Sequence, residues 1–338
     1  MAGALQVTRR QIFAFRRRVG SLDERLPKGV ESLRRAAWAG LQDSMPRAAL
    51  LSLHARVEGV EPATWEHPSL AQAWGPRYQV YVVPKRDFVL FTLARLPEDE
   101  RGRLRAQQMA KQLHAQLRGE RITDRELGRA LGIGNELRYA TTTGTIAIRW
   151  GGARAPVLWT VDAPDIEPAD ARRELARRYL HVYGPADANG FARWAGISRR
   201  SAADTFASLE GSLLPVRSPL GDEWLLLEDE PEIRAAETAV APARLLPSGD
   251  AYFLFLQAAE REFLVPRQDQ RERLWTSRVW PGALLVDGEI RGTWRRAQHT
   301  VRVEPWARLS RKARDAVEAE AVALPLPLER PVEVVWGA

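Results

Sequence analysis

The 338-residue sequence contains no cysteine. Disulfides, thiolate nucleophiles and every Cys-based zinc site are therefore excluded. Histidine is scarce: His54, His67, His114, His181 and His299 are scattered, with no two at ligand spacing. Neither a metal nor any other cofactor is expected. Lysine is nearly absent, since Lys28, Lys85, Lys111 and Lys312 are the only ones among 50 basic side chains. That scarcity disfavours a Schiff-base step. Long apolar runs are missing as well. Stretches such as AYFLFLQAA (residues 251–259) are far too short to cross a bilayer. The N-terminal MAGALQVTRRQ has neither a sustained apolar segment nor a cleavage site. No membrane partner is expected, and the chain reads as cytoplasmic.

What the sequence does have is arginine, with a formal net charge of +7. One reading is phosphate binding, because a guanidinium forks onto phosphate with two parallel hydrogen bonds. The other is a genome that favours Arg codons, with many of these side chains paired to the 43 acids. A hydrophobic fraction of 45% is enough to bury real cores and fill two or more domains.

Helical periodicity opens the chain. Thr8 and Gln11 have capping-box spacing, and Ile12, Phe15 and Val19 then recur on one face. Further helices are expected at 30–41 and 46–57, with Pro46 at a first helical position. RYQVYVVP (77–84) alternates as a strand, and 85–96 returns to helix. A second unit follows: helix 102–117, a helix at 122–132 with Thr123 and Glu126 as capping box, a helical stretch at 135–140, and a hairpin over 145–161. A third repeats the plan, with helices at 170–184, 189–196 and 198–209 and a hairpin over 213–228. Helix, short helix, turn, helix, two-stranded ribbon is the winged-helix order, in which the last helix can enter a DNA major groove. Beyond an acidic, Ala/Pro-rich boundary at 228–250 the pattern turns to strands. FLFLQ, EFLVP, GALLVDGEIRGTWRR, HTVRVEPW and VEVVW are all β-like, interrupted by a helix at 310–323.

The fold class expected is α+β: tandem winged-helix (helix-turn-helix) units followed by a C-terminal β-barrel-like domain. The units divide at 1–100, 101–168, 169–230 and 231–338, the first carrying the candidate active-site segment.

Four stretches carry a resemblance to a known family: LQDSMPRAALLSLHARVEG (41–59), RRELARRYLHVYGPADANGFARWAG (172–196), PGALLVDGEIRGTWRR (281–296) and VEPWARLSRKARDAVEAEA (303–321). Over nearly its full length the chain resembles the bacterial winged-helix proteins related to AlkZ-like and YcaQ-like interstrand-crosslink DNA glycosylases. The resemblance implies three winged-helix units and a barrel around a basic, DNA-sized concavity. It also implies a monofunctional glycosylase acting on alkylated or crosslinked purines by water attack at C1′. In the glycosylase members the segment matching 42–44 reads Gln, an apolar residue, then Gln or Asp. Gln42 fits, Asp43 is charged where the family is apolar, and Ser44 replaces the last residue. The family's RGTLH is RYQVY here, so Tyr81 takes the place of a His.

Gln42, Asp43 and Ser44 are therefore the candidate catalytic residues. A base made cationic by alkylation is already a good leaving group. Its removal needs chiefly a placed water and stabilised oxocarbenium charge. Gln42 would hold the water and Asp43 would supply negative charge. Neighbours in an extended strand point to opposite faces, so only a turn would unite the two. The competing reading makes Asp43 or Ser44 a helix cap, worth ~1 kcal/mol. The candidate DNA-binding set is Arg9, Arg10, Arg16, Arg17, Arg18, Arg47, Arg77, Arg199 and Arg200, with Tyr81 stacking on a base. Solvated helix faces and a core tyrosine are the plain alternatives.

Double-stranded DNA is thus the expected partner and the nucleoid the expected place. The oligomeric state is left open, a monomer being the simpler reading. A non-catalytic DNA-binding protein or transcriptional regulator remains the alternative function.

Overall fold

Local signals start most of the helices in the computed structural model, which describes residues 3–45, 47–152, 154–235, 241–254, 257–327 and 330–337. β1 (Leu5–Gln6) precedes the Thr8–Gln11 capping box that opens α1 (Arg9–Val19). α2 (Val30–Ala36) and α3 (Ala48–Arg56) flank the two-residue β2 (Leu41–Gln42). β3 (Leu70–Trp74) and β4 (Val80–Pro84) pair antiparallel, and α4 (Phe88–Leu93) follows. After α5 (Glu100–Leu117), β5 (Ile122–Thr123) runs straight into α6 (Asp124–Leu131), whose first turn is closed by the Thr123–Glu126 box. The hairpin of β6 (Ile146–Arg149) and β7 (Val157–Thr160) comes next. α7 (Pro168–Tyr183), α8 (Ala188–Ala195) and α9 (Arg199–Ala207) lead to the hairpin of β8 (Leu213–Ser218) and β9 (Gly221–Leu226), then α10 (Glu230–Arg234). The last part holds β10 (Arg244–Leu246), α11 (Ala258–Leu264), α12 (Gln268–Leu274), β11 (Gly282–Val286), β12 (Glu289–Ala297), β13 (Thr300–Pro305), α13 (Arg311–Val322) and β14 (Glu333–Trp336).

Three sheets tie these segments together. A six-stranded sheet in the order β2-β4-β3-β6-β7-β5 draws on both sides of residue 100, joined through the Gln72–Ile148 bridge. β1 lies parallel to β8, so the N-terminus completes a sheet begun more than 200 residues later. The C-terminal sheet runs β10-β11-β12-β13-β14.

The cores explain why β2 and β4 hold still. Tyr81 and Val83 of β4 pack with Phe91, Leu175, Tyr179, Phe191, Trp194 and Phe206 from α4, α7, α8 and α9. On the opposite face, Leu41 and Val82 pack with Leu33, Leu50 and Leu53 from α2 and α3. Each such large side chain removed from water contributes about 1.5–3 kcal/mol. The short β2–β4 pair is therefore clamped between two helical layers.

Several expectations change. No closed barrel forms among the described residues: β10 and β14 are the two edges of an open sheet. Helix 30–41 stops at Ala36, because Gly40 turns with φ +80 and places Leu41 on β4. A Cβ at Gly40 would stand 2.8 Å from Phe91 and 2.9 Å from Tyr81, so only glycine permits that approach. The strand expected from residue 77 begins at Val80, after a tight turn over Pro76–Tyr78. EFLVP is not a strand; the Gln257–Glu260 capping box draws its first residues into α11. The helix start expected at Pro46 and part of FLFLQ fall outside the described residues.

Candidate functional site

Register decides which candidate residues meet. Leu41 lies opposite Val82 and Gln42 opposite Tyr81, and the Asp43 amide donates to the Val80 carbonyl at 2.7 Å. Directly opposed residues share a face. Gln42 and Ser44 therefore stand on the Tyr81 face, and Asp43 on the other. The Ser44 hydroxyl donates to the Gln79 side-chain carbonyl at 2.7 Å. Nη2 of Arg77 donates to the Gln42 side-chain carbonyl at 3.4 Å, a long contact. The neighbouring wall is Gly249, where a Cβ would lie 3.3 Å from Nε2 of Gln42.

Arg77 and Tyr78 reach these positions at a cost. Both are non-glycine residues in the left-handed region, with φ 54 and 57. That conformation costs roughly 1–2 kcal/mol per residue. Several contacts hold it. The Gly75 amide donates to the Gln79 carbonyl at 2.9 Å, and the Tyr78 amide to the Gly75 carbonyl at 3.0 Å. The Arg95 guanidinium lies 4.0 Å over the Tyr78 ring and is fixed by the Trp74 and Ala195 carbonyls, each at 3.0 Å. Burial pushes Arg95 down to about 10.

Asp43 is not beside Gln42. It is 1% exposed, and its two oxygens accept from the Ala49 backbone N–H and from Nε2 of Gln72, both at 3.0 Å. Burial raises its pKa to about 6 against the pull of those two hydrogen bonds. Both oxygens of this carboxyl are thus engaged on the face opposite Gln42. Asp43 instead satisfies an N–H in the first turn of α3, where Arg47 is the N-cap residue and its own side chain makes no capping bond.

Tyr81 is fully buried beneath Gly40 and Gly75, which leaves no ring face for a base. Burial raises its pKa further above the phenolic range, opposed by nearby Arg77. The α1 arginines also divide. Arg16 is buried and donates to the carbonyls of Tyr183, Gly184 and Pro185, closing the C-terminal end of α7. Arg17 is buried against Asp23 and the Gly288 carbonyl. Arg9 binds Glu289 and the carbonyls of Phe263 and Leu264, and Arg18 binds Glu232. Arg10, Arg199 and Arg200 remain exposed. Arg47 lies 3.6 Å over Trp65, which also carries Arg149 at 4.0 Å.

The site thus brings together Gln42, Ser44 and Arg77 and leaves Asp43 and Tyr81 out. Gln79 and Gly249 were not anticipated. The period-2 alternation of Gln79 and Tyr81 would have placed Gln79 beside Ser44 had β2 been recognised as a strand. Chemically, the face offers amides and a hydroxyl, which orient water but do not act as bases near neutral pH. Among the described residues no carboxylate bonds Gln42 or Ser44, and no group of three acidic or His side chains could hold a metal ion.

Comparison with known proteins gives three findings. The family model described as "DNA glycosylase AlkZ-like" matches residues 35–325. An "Interstrand DNA cross-link repair glycosylase" of Streptomyces sahachiroi is 26% identical over 192 residues, 56% of this chain and 48% of that protein. The match thus spans about half the length of that relative. The solved structure of Streptomyces sahachiroi DNA glycosylase AlkZ superposes with a TM-score of 0.77, covering 98% of this chain and all of the other at 19% identity, a likeness of fold.

Proposed function

The chain belongs to the AlkZ-like DNA glycosylase family, and from that premise we propose that it is a monofunctional DNA glycosylase removing alkylated or crosslinked purines. In this reading residues 1–100, 101–168 and 169–230 are winged-helix units and 231–338 a β-rich domain. Together they hold duplex DNA, with Arg10, Arg199 and Arg200 available for its phosphates. Gln42 holds the attacking water. The C1′–N9 bond breaks with its electron pair passing to the purine, which leaves neutral because alkylation of a ring nitrogen, N7 or N3, had made it cationic. The water oxygen then bonds C1′, and its spare proton passes to solvent.

The observation that carries this reading is the placement of Gln42. Within a matched family, its amide is half-buried rather than sealed in the core, with Nη2 of Arg77 3.4 Å from its carbonyl and the side-chain-free Gly249 beside it. The test is abasic-site formation on duplexes carrying one N7-methylguanine, one N3-methyladenine or one nitrogen-mustard crosslink. Product from wild type and at least ten-fold less from Gln42→Ala, at equal thermal stability, is expected. No product on any of the three overturns the reading.

A second reading, a non-catalytic DNA-binding protein, is favoured by one observation: Asp43, the nearest carboxylate in sequence, is turned away from Gln42. It predicts tight duplex binding with no abasic product.

A further inference from the structure

Gln79 stands on the Gln42 face and has no part in the reading above. It begins β4's approach to β2, and Ser44 binds it at 2.7 Å. Gln42 lies opposite Tyr81 and Gln79 two residues before Tyr81, so the two amides are diagonal neighbours on one face, a separation that long side chains span. The two differ in how firmly they are held, at 2.7 Å for Gln79 and 3.4 Å for Gln42. Each offers its carbonyl oxygen to a neighbour, Arg77 for Gln42 and Ser44 for Gln79, while each NH2 has no partner among the described residues. Both side chains are half-buried and so reach solvent.

A surface amide tethered at its oxygen by a short hydroxyl bond is fixed in rotation, with its NH2 and second lone pair pointing away from the tether. That is an arrangement for holding a water from two sides. The backbone supports the same conclusion independently. Two consecutive non-glycine residues stay left-handed to bring the chain round to Gln79, and strain of that kind persists where the position it delivers matters.

We propose that Gln79 is the second amide of the water site: Ser44 fixes its carbonyl, and its free face holds, jointly with Gln42, the water that attacks C1′. This rests on the glycosylase reading. Ser44 is then a positioning residue and Gln79 a catalytic one. A single amide leaves a water free to swing about one hydrogen bond. Two amides fix it in line with the breaking C1′–N9 bond, and orientation of that kind is worth orders of magnitude in rate.

The experiment is single-turnover abasic-site formation by the full chain on whichever of the three duplexes wild type processes. Expected is a loss of at least ten-fold for Gln79→Ala, with duplex affinity and melting temperature unchanged. Gln79→Asn, whose amide is one methylene short, should lose rate to an intermediate degree. The double variant Ser44→Gln with Gln79→Ala, which returns an amide from the opposite strand, should recover to within about three-fold of wild type. An undiminished rate in Gln79→Ala overturns the proposal and leaves the glycosylase reading standing. Loss that Ser44→Gln does not restore also overturns it, because Gln79 then acts through something other than its amide. Should Gln79→Ala fail to fold, Gln79→Asn with a full rate overturns it in the same way. Wild type without product overturns both readings.

Discussion

Oδ1 of Asp43 accepts the backbone N–H of Ala49 at 3.0 Å, six residues ahead in the chain. Oδ2 accepts from Gln72, whose own carbonyl accepts the Trp150 amide at 2.7 Å. One buried carboxyl therefore links the end of β2 to the start of α3, to β3, and to the residue after β6. A residue that the sequence offers for catalysis is the knot of the scaffold beneath the site.

That position gives a pH dependence of defined sign. Burial raises the folded pKa of Asp43 from 3.8 to about 6, so the folded state holds the proton more tightly than the unfolded chain. Stability from this group is full below about pH 4 and falls as pH rises through 6, by on the order of 3 kcal/mol. Asp43→Asn cannot titrate, and its NH2 faces that of Gln72. The stability gap between wild type and Asp43→Asn should therefore be widest near pH 4 and narrow towards pH 7. Urea unfolding at four pH values measures it. A gap that does not change with pH contradicts the assignment.

A second buried carboxylate behaves oppositely. Burial alone would raise the pKa of Asp250, but the Arg56 guanidinium, bonded to it at 2.7 and 2.8 Å, holds it below the usual range together with Ser52 and the Tyr252 amide. Asp250→Ala leaves Arg56 buried without a counter-charge and should cost about 3–5 kcal/mol. The pair ties α3 to the loop after β10. Proteolysis between β10 and α11 should accelerate in the variant as its denaturation midpoint falls; unchanged cleavage there would contradict the tie.

The same loop carries Gly249, with φ +77 and Gln42 beside it. Gly249→Ala adds a left-handed alanine, costing roughly 1–2 kcal/mol, and sets a methyl 3.3 Å from Nε2 of Gln42. Gly119 has φ +84 and open space around it. Gly119→Ala should therefore lose similar stability with no loss of rate, whereas Gly249→Ala should lose at least ten-fold in abasic-site formation. Equal rates for the two variants would show that Gln42 does not need that space.

How much of this could be read in the sequence depended on range. The boxes at Thr8–Gln11 and Thr123–Glu126 span three residues and form as expected, because both partners lie within one turn. The hairpins at β6–β7 and β8–β9 follow from alternation and a bend. β2 was hidden because two residues carry no periodicity; its pairing with β4 is dictated by the layers on either side. Asp43 and Gln42 therefore looked like neighbours in one constellation, although the pleat separates them. Arg16 looked exposed by composition, yet its partners are carbonyls about 168 residues away, and no local pattern encodes that. Pairing with acids, raised as the plain alternative for the arginines, accounts for Arg9, Arg17 and Arg18.

That division of the arginines leads to a prediction about DNA binding. A guanidinium already bonded to protein carbonyls and carboxylates releases few counterions when a phosphate arrives, whereas a solvated one releases about its full share. Arg199 and Arg200 lie exposed in the first turn of α9, and among the described residues the partner of Arg200 is distant, Asp204 at 3.8 Å. Arg9 is held by Glu289 and two carbonyls. If α9 meets duplex DNA, Arg199→Ala with Arg200→Ala should weaken binding and flatten the slope of log K against log salt by roughly 2, about one per phosphate contact. Arg9→Ala should lower the melting temperature and leave the slope unchanged. Fluorescence anisotropy with an undamaged duplex from 50 to 200 mM salt separates the cases. A slope that moves with Arg9 and not with Arg199 and Arg200 would place the DNA along α1 instead, because counterion release follows the phosphate wherever it lies.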